Sequence, residues 1–309
     1  MKIAVVKTTV FMLLTLFVMG CGQGRETRNI TDRAGRSVSI SGPVNRIIST
    51  APSNTEIITD LGLADKLVAI DRHSANVIAP DGYPGIPDGI PLLDFFFPDS
   101  ELILGLNPDI IIASGHNPTG SGDDPFRLLS EMGIPVVYVP MSRNIEEIYE
   151  DINFVADLLS VWQRGEQLVN ATKAEVAEIT RRTAHVENKV TVYFEISAAP
   201  EMFTVGRGNY LDDMITAISA VNIFANDNWL VSPGAESIIE RNPAVILTNV
   251  NYIDNPIDEI KSRPGFNHIN AVINDRVYII DTDSSVRPSA RIVLALRQMS
   301  DAVYPEGGP

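Results

Sequence analysis

The sequence predicts an α/β protein with two Rossmann-like lobes, each built on a parallel sheet, joined by a single long backbone helix. Short, almost wholly apolar strands alternate with helical segments, which is typical of a parallel sheet covered on both faces. The same order of elements begins again after residue 187, and one long polar helical segment, residues 160–187, separates the two halves. We therefore expect an N-terminal lobe over 29–159, a linking helix over 160–187 and a C-terminal lobe over 188–309.

The first 20 residues have the pattern of an export signal. Lys2 and Lys7 precede an apolar run, residues 10–19, that is too short to span a bilayer. Residues 18–21 (VMGC) resemble the lipobox of bacterial lipoproteins, and Cys21, the only cysteine, suits lipid attachment. We expect an extracytoplasmic protein held at the bacterial membrane by this anchor alone, with residues 21–28 as a tether. A plain secretory signal with an incidental cysteine is the alternative.

The chain is acidic, with a formal net charge of −15. Without residues 1–20, which hold two lysines and no acidic residue, the charge becomes −17. So acidic a chain repels nucleic acid and anionic lipid, and no run of basic residues offsets this. We exclude nucleic acid as a partner and expect a monomer.

In the N-terminal lobe, a small hairpin over 29–40 is predicted because alternating residues flank the turn signal Ala34-Gly35. Strands are predicted at 46–49, 67–71, 109–113 and 135–139. Helices are predicted at 54–61, 99–106, 124–132 and 144–159, the last with a capping box formed by Asn144 and Glu147. Residues 72–98 are rich in Pro and Gly and read as loop.

The linking helix is predicted from the capping-box spacing of Ser160 and Gln163 and from a narrow apolar stripe among charged residues. A length of about 37 Å, at 1.5 Å per residue, is enough to cross a domain. Gly165 lies inside this pattern and costs about 1 kcal/mol relative to alanine. An ordinary surface helix of a single domain is the alternative.

The C-terminal lobe repeats the pattern, with strands at 189–195, 245–248 and 276–280 and helices at 210–220, 235–241 and 289–303. Two segments, 101–112 and 236–247, resemble each other directly. Glu101 matches Glu236, and the Asn-Pro pair at 107–108 matches the pair at 242–243. In each segment the Asn-Pro pair ends a short helix before a buried strand, which indicates two related lobes.

Residues that directly follow the strands are expected to line a common cleft, because parallel sheets bind ligands beyond the carboxyl ends of their strands. The candidates for ligand contact are His73, Phe95, Phe96, Phe97, Ser114, His116, Phe203, Trp229, Asp283 and Arg287. Three consecutive phenylalanines cannot all face one core, so at least one is expected to stack on a ligand. Asp283 and Arg287 either pair with each other or bind amides and carboxylates of the ligand.

Signals of an enzyme are missing, since no nucleophile elbow, His-Glu-x-x-His sequence, phosphate loop or dinucleotide fingerprint occurs. We predict no catalytic residue, no cofactor and no resident metal. Each histidine is either a polar loop residue or a metal ligand. A bare zinc or manganese binder using His73, His116 and Asp283 falls short of the four close ligands such a site needs. A surface enzyme is the alternative from another class.

Several of these segments resemble the helical-backbone (class III) substrate-binding proteins of ABC importers, and in particular their cobalamin and iron-chelate branch. The resemblance covers residues 29–305 and is carried by 31–36 (TDRAGR), 51–56 (APSNTE), the two Glu…Asn-Pro segments and 287–291 (RPSAR). It implies two α/β lobes joined by one rigid helix, with small closure on binding.

The resemblance also implies partners. One glutamate on each lobe docks onto arginines of a permease dimer that works with ATPase subunits, and by position these are Glu101 and Glu236. The alternative is an ordinary acidic residue in a first helical turn, which stabilises a helix by about 0.3–1 kcal/mol.

The implied ligand is a small-molecule metal chelate, above all cobalamin or another corrinoid, with a ferric siderophore or haem as the alternative. Cleft aromatics of the family correspond to Phe95, Phe203 and Trp229, whereas Ser114 stands where a corrinoid binder can carry Trp. The family's Asp…Arg pair corresponds to Asp283 and Arg287. His73 stands where an aromatic ring is common, and Arg72 or Arg287 would offset the charge of an anionic chelate.

Overall fold

The computed structural model describes residues 26–78, 86–94, 96–114 and 124–305. These residues form a two-stranded hairpin, a five-stranded sheet and a six-stranded sheet. The five-stranded sheet belongs to the N-terminal lobe and the six-stranded sheet to the C-terminal lobe, so the predicted α/β fold with two lobes is confirmed.

The N-terminal lobe begins with a hairpin of two strands, β1 (Thr27–Thr31) and β2 (Ser37–Ser41). Its sheet contains β3 (Ile47–Ser49), β4 (Leu67–Asp71), β5 (Leu92–Leu93), β6 (Ile110–Ser114) and β7 (Val136–Val139). Its helices are α1 (Pro52–Asp60), α2 (Ser100–Gly105), α3 (Arg127–Glu131) and α4 (Ile145–Leu158). All five strands are parallel, in the order β5-β4-β3-β6-β7.

The inner strand β6 shows why the sheet is covered on both faces. Ile110 and Ile112 belong to one buried apolar cluster, whereas Ile111 belongs to another. Because successive side chains of a strand point to opposite faces, a run of apolar residues fills two cores at once.

The hairpin protects the exposed edge of the N-terminal sheet at β7. Arg36 Nη2 donates to the carbonyl oxygen of Val136 at 2.7 Å, and Asp32 Oδ2 accepts from the backbone N–H of Tyr138 at 3.2 Å. The Arg36 guanidinium also lies 4.2 Å from the centroid of the Tyr138 ring. Backbone groups of an edge strand would otherwise be open to pairing with another chain. The predicted hairpin is confirmed, with Gly35 at φ +81° in its turn.

After α5 (Trp162–Thr183), the C-terminal lobe forms a mixed sheet. Its strands are β8 (Thr191–Ser197), β9 (Phe203–Val205), β10 (Val221–Asn222), β11 (Leu230–Val231), β12 (Val245–Thr248) and β13 (Val277–Ile279). Its helices are α6 (Tyr210–Ala217), α7 (Ala235–Arg241), α8 (Pro256–Ser262), α9 (Asn270–Ile273), α10 (Thr282–Val286) and α11 (Ile292–Val303).

The expectation of a purely parallel sheet is wrong for the C-terminal lobe. Strands β8, β10, β12 and β13 pair in parallel, but β9 runs antiparallel to both β8 and β11. Only residues 198–202 connect β8 to β9. A connection this short permits a return but not the crossover of about a dozen residues that a parallel neighbour requires.

The predicted sequence repeat corresponds to a structural repeat. Helix α2 leads into β6 and helix α7 leads into β12, and each of these strands has parallel neighbours on both sides. Asn107 and Asn242 both adopt left-handed backbone conformations, with φ of 45° and 44°. Asparagine tolerates this conformation at a helix end, and the following proline prevents the helix from continuing.

The linking helix α5 packs on α4 of the N-terminal lobe and on α11 of the C-terminal lobe. Its 22 residues correspond to a length of about 33 Å. The predicted capping box is wrong: Ser160 has φ +60° in the turn after α4, and the helix begins after Val161 without a side-chain cap. Helix α5 instead follows α4 after residues 159–161 and packs directly on it.

Candidate functional site

A cavity of about 500 Å³ lies between the two lobes. The N-terminal lobe contributes residues that end or follow β3, β4, β6 and β7, and the C-terminal lobe contributes residues that follow β12 and β13. The lining residues are 51–54, 57, 72–73, 114, 139–142, 151, 251, 282–283 and 286–288. This is the edge at which open α/β sheets bind ligands.

The cavity lining combines polar and charged side chains with aliphatic ones. Apolar contacts come from aliphatic side chains and Met141, and among the described lining residues no Phe, Tyr or Trp takes part. Arg72 lines the cavity and makes no ion pair within the described part of the chain. The cavity therefore offers hydrogen bonds and a positive charge rather than an aromatic surface.

A buried hydroxyl network fixes the strand ends beside His73. Thr55 Oγ1 donates to Ser49 Oγ at 2.8 Å and lies 3.0 Å from Ser74 Oγ. Asp71 accepts hydrogen bonds from the backbone N–H of His73, at 2.8 Å, and from Ser74. Burial raises the pKa of Asp71, and these hydrogen bonds oppose that shift. The network holds the backbone of His73 at the cavity.

A buried ion cluster joins the lobes beside the cavity. Glu56, on α1, accepts from Arg287 Nη1 at 3.0 Å and from Ser289 Oγ at 2.6 Å. Arg287 also pairs with Asp283 at 2.8 Å. Burial raises the pKa of Glu56, while Ser289 and Arg287 act to lower it. Arg287 is thus engaged in joining the lobes, and Asp283 is the more exposed end of the cluster.

Asp151, on α4, is a second buried carboxylate in the cavity lining. It accepts from Ser142 Oγ at 2.8 Å and from Arg33 Nε at 2.6 Å. Burial outweighs these contacts and raises the pKa of Asp151 to about 6. Our sequence reasoning missed Asp151 and Glu56 as site residues. A signal existed for Asp151, an acidic residue placed among the apolar positions of its helix.

The cavity brings together four of the predicted ligand residues, namely His73, Ser114, Asp283 and Arg287. Phe95 and His116 lie outside the described residues, as does Cys21.

Phe96 and Phe97 follow β5 at the cleft edge but do not line the cavity, and they are 59% and 85% exposed. Asp94 Oδ1 accepts from their backbone N–H groups at 2.9 and 2.8 Å, which turns the chain after the strand. The backbone of Phe97 and Phe96, with smaller contributions from Arg72 and His73, lowers the pKa of Asp94.

The other two predicted aromatics lie at opposite ends of the β9–β11 pair. Phe203 pairs with Ser197 at the carboxyl end of β8, which is the cleft end. Trp229 precedes β11, whose first residue Leu230 pairs with Val205 at the other end of β9. Trp229 was expected at the same rim, but the strand register places it at the far end of this pair.

The two predicted docking glutamates occupy equivalent places. Glu101 and Glu236 are exposed residues in the first turns of α2 and α7. Asp99 caps α2 by accepting from the backbone N–H of Glu101 and Leu102 at 2.9 and 3.0 Å. The capping role at α2 is therefore filled by Asp99, which leaves the Glu101 carboxylate directed to solvent.

Within the described ranges, no helix is long and apolar enough to span a membrane. The same residues contain no group of three or more His, Cys, Asp or Glu side chains arranged to hold a metal ion.

Two α/β lobes, one bridging helix and a cavity between the lobes define a two-lobed binding protein. A family model described as periplasmic binding protein matches residues 47–284, and the chain belongs to this family. The family is a non-enzymatic transport component, and this chain is the substrate-binding component of an ABC transporter.

Named relatives agree with this assignment. The chain is 26% identical over 310 residues to an uncharacterized ABC transporter substrate-binding lipoprotein, YvrC, of Bacillus subtilis, covering 96% of this chain and 95% of that protein. It is 28% identical over 262 residues to the vitamin B12-binding protein of Vibrio cholerae, covering 83% and 88%. A crystal structure of a possible iron-binding, periplasmic solute-binding protein from Staphylococcus epidermidis superimposes with a TM-score of 0.73 at 31% identity, covering 84% and 99%.

Proposed function

We propose that this protein is a lipid-anchored receptor that captures a metal chelate between its lobes and delivers it to an ABC permease. The observation that carries this proposal is the cavity of about 500 Å³ formed by strand ends of both lobes. Ligand sites of small molecules commonly have volumes of about 300–1,000 Å³ and a few convergent polar groups.

A corrinoid is the first candidate for the ligand. A corrin ring has large apolar faces and peripheral amides. Ser53, Asn54 and Asn251 in the lining offer hydrogen-bonding groups for amides. Phe96 and Phe97 stand exposed at the cleft edge beyond the cavity, where a ring too large for the cavity would extend. The vitamin B12-binding relative supports the same candidate.

A ferric chelate, either a siderophore or haem, is the second candidate. Arg72 and His73 line the cavity, and Arg72 supplies a positive charge for an anionic chelate. The similar structure from Staphylococcus epidermidis is described as possible iron-binding.

Titration calorimetry tests the ligand. Cyanocobalamin and cobinamide should bind with dissociation constants of about 1 µM or below, which corresponds to roughly 8 kcal/mol. Mass spectrometry and the visible spectrum of protein purified from its native host would identify a retained corrinoid, haem or iron complex. A flat calorimetric trace with both corrinoids, together with a retained ferric complex, would replace the first candidate by the second.

Docking is proposed to use Glu101 and Glu236. Reversing both charges, Glu101→Arg with Glu236→Arg, should lower transport in a reconstituted importer and leave ligand affinity unchanged. Glu166→Arg with Glu178→Arg is the matched control, because both glutamates are exposed on α5, away from α2 and α7. Equal loss of transport in the control, or loss of ligand affinity in the docking variant, would contradict the assignment.

The lipid anchor is proposed at Cys21. In the native host, radiolabelled palmitate should be incorporated into the wild-type chain and not into Cys21→Ala. Label in the variant would place the lipid elsewhere.

A further inference from the structure

The ion cluster beside the cavity connects residues that are far apart in the chain. Glu56 and Arg287 are separated by 231 positions, lie in different lobes, and are 0% and 5% exposed. Ser289, also fully buried, donates to the second carboxylate oxygen of Glu56 at 2.6 Å. Arg291 Nη1 lies 3.8 Å from the first. One carboxylate of the N-terminal lobe thus holds three side chains of the C-terminal lobe.

The same guanidinium reaches the cavity lining. Arg287 Nη2 lies 2.8 Å from Asp283 Oδ1 and donates to the backbone oxygen of His73 at 3.5 Å. Asp283 and His73 both line the cavity and come from opposite lobes. Any movement of Arg287 would therefore change the relative position of the two walls.

We propose that Glu56 is a positioning residue that fixes the two lobes, through Arg287 and Ser289, in the arrangement that forms the ligand cavity. Glu56 does not need to touch the ligand. Removing one partner of a buried ion pair leaves an uncompensated charge, which is strongly unfavourable. The lobes consequently resist separation at this point in the absence of ligand. The predicted effect of Glu56 on ligand affinity rests on the proposed function, whereas its predicted effect on the contact between the lobes does not.

The C-terminal lobe contains a matched control with the same chemistry inside one lobe. Arg263 Nη1 and Nη2 donate to the two carboxylate oxygens of Glu195 at 2.5 and 2.9 Å. Glu195 and Arg263 are 0% and 8% exposed. Glu195→Gln therefore disturbs a buried Glu–Arg pair as Glu56→Gln does, but without a contact between lobes.

Hydrogen–deuterium exchange with mass spectrometry on the full lipidated chain in detergent tests the proposal. In Glu56→Gln, amides of both α1 and α10 should exchange about tenfold to a hundredfold faster, the factor expected for loss of a hydrogen bond to a charged group. Ser289→Ala, a milder change, should act in the same direction with a smaller factor. Glu195→Gln should leave α1 and α10 unchanged.

Cyanocobalamin titration provides the second measurement. If the ion cluster around Glu56 keeps the cavity formed, Glu56→Gln should weaken the affinity for cyanocobalamin by about tenfold when the binding-competent arrangement of the lobes falls to about a tenth of the population. Failure of the wild type to bind cyanocobalamin would remove the corrinoid candidate and leave the exchange result to decide about Glu56. Unchanged exchange in α10 of Glu56→Gln, or equal changes in α1 and α10 of Glu195→Gln, would overturn the proposal. If Glu56→Gln does not fold, Ser289→Ala decides alone.

Discussion

The contact between the linking helix and the N-terminal lobe depends on a residue without a side chain. A Cβ placed on Gly165 would lie 2.4 Å from the Cβ of Ala156 on α4. Favourable carbon contacts are about 3.5–4.0 Å, so the helices would have to separate by more than about 1 Å. Only residues 159–161 connect α4 to α5, which prevents an easy separation.

We predict that Gly165→Ala destabilises the protein, against the usual helix preference. Alanine gains up to about 1 kcal/mol over glycine in a helix, but overpacking typically costs about 1–3 kcal/mol. A contact of 2.4 Å places the cost at the upper end of this range, about 3 kcal/mol, so the expected net loss in the free energy of unfolding is about 2 kcal/mol. Urea denaturation followed by circular dichroism measures it.

A double-mutant cycle with Ala156→Gly isolates the clash. Ala156→Gly alone should cost about 2 kcal/mol, from lost helix preference and one buried methyl group. In the double variant the methyl group is moved from position 156 on α4 to position 165 on α5, so the clash between the two Cβ atoms is absent. The remaining neighbours of the new Cβ are atoms of Asn153 at 3.5 and 3.7 Å, which are ordinary contact distances. The coupling should therefore recover at least about 1 kcal/mol. Additive effects, or stabilisation by Gly165→Ala alone, would refute this account of the helix contact.

Three further perturbations follow from the contacts described above. Because burial raises the pKa of Asp151 to about 6, the folded state binds more protons than the unfolded state between about pH 4 and 6. Stability should fall as pH rises through this window, by at most about 3 kcal/mol, and Asp151→Asn should flatten the pH dependence in urea titrations. Asp213 Oδ2 accepts from the backbone N–H of Ile145 at 2.9 Å, across the lobes. Asp213→Ala should cost about 0.5–2 kcal/mol by denaturation, and Asp213→Asn less, because the amide keeps an acceptor oxygen. Arg36→Met should lose the hydrogen bond to the Val136 carbonyl oxygen, and limited proteolysis should then cleave the hairpin faster. Cleavage at the wild-type rate would contradict the role of Arg36 in holding the hairpin on the sheet edge.

Elements with a strong local signal could be predicted from the sequence. The strand at β6 was predictable because three consecutive isoleucines leave no solvent-facing position. The Asn-Pro pairs revealed the repeat because asparagine and proline act on the backbone at the position itself. Strands β9, β10 and β11 carried no such signal, since two or three residues give no periodicity.

The site was less predictable than the fold, since its main contacts join distant parts of the chain. The positions after the strands pointed to His73, Ser114 and Asp283, because strand ends of parallel sheets share one edge. Nothing local distinguishes Glu56 as the partner of Arg287, since their proximity exists only once both lobes are assembled.

The residues that line the cavity differ from those at the edge of the cleft, and this difference bears on the proposed ligand. Asp283 and Arg287 are among the charged groups that line the cavity, and Arg287 is already paired with Glu56 beside it. Phe97 is 85% exposed at the edge, where its ring is accessible to the apolar face of a ligand. A bare ion would be held by the cavity alone and would not contact this ring, which lies outside the cavity lining. The proposed ligand, a chelate with an organic framework, would place its polar groups in the cavity and its apolar face against this ring.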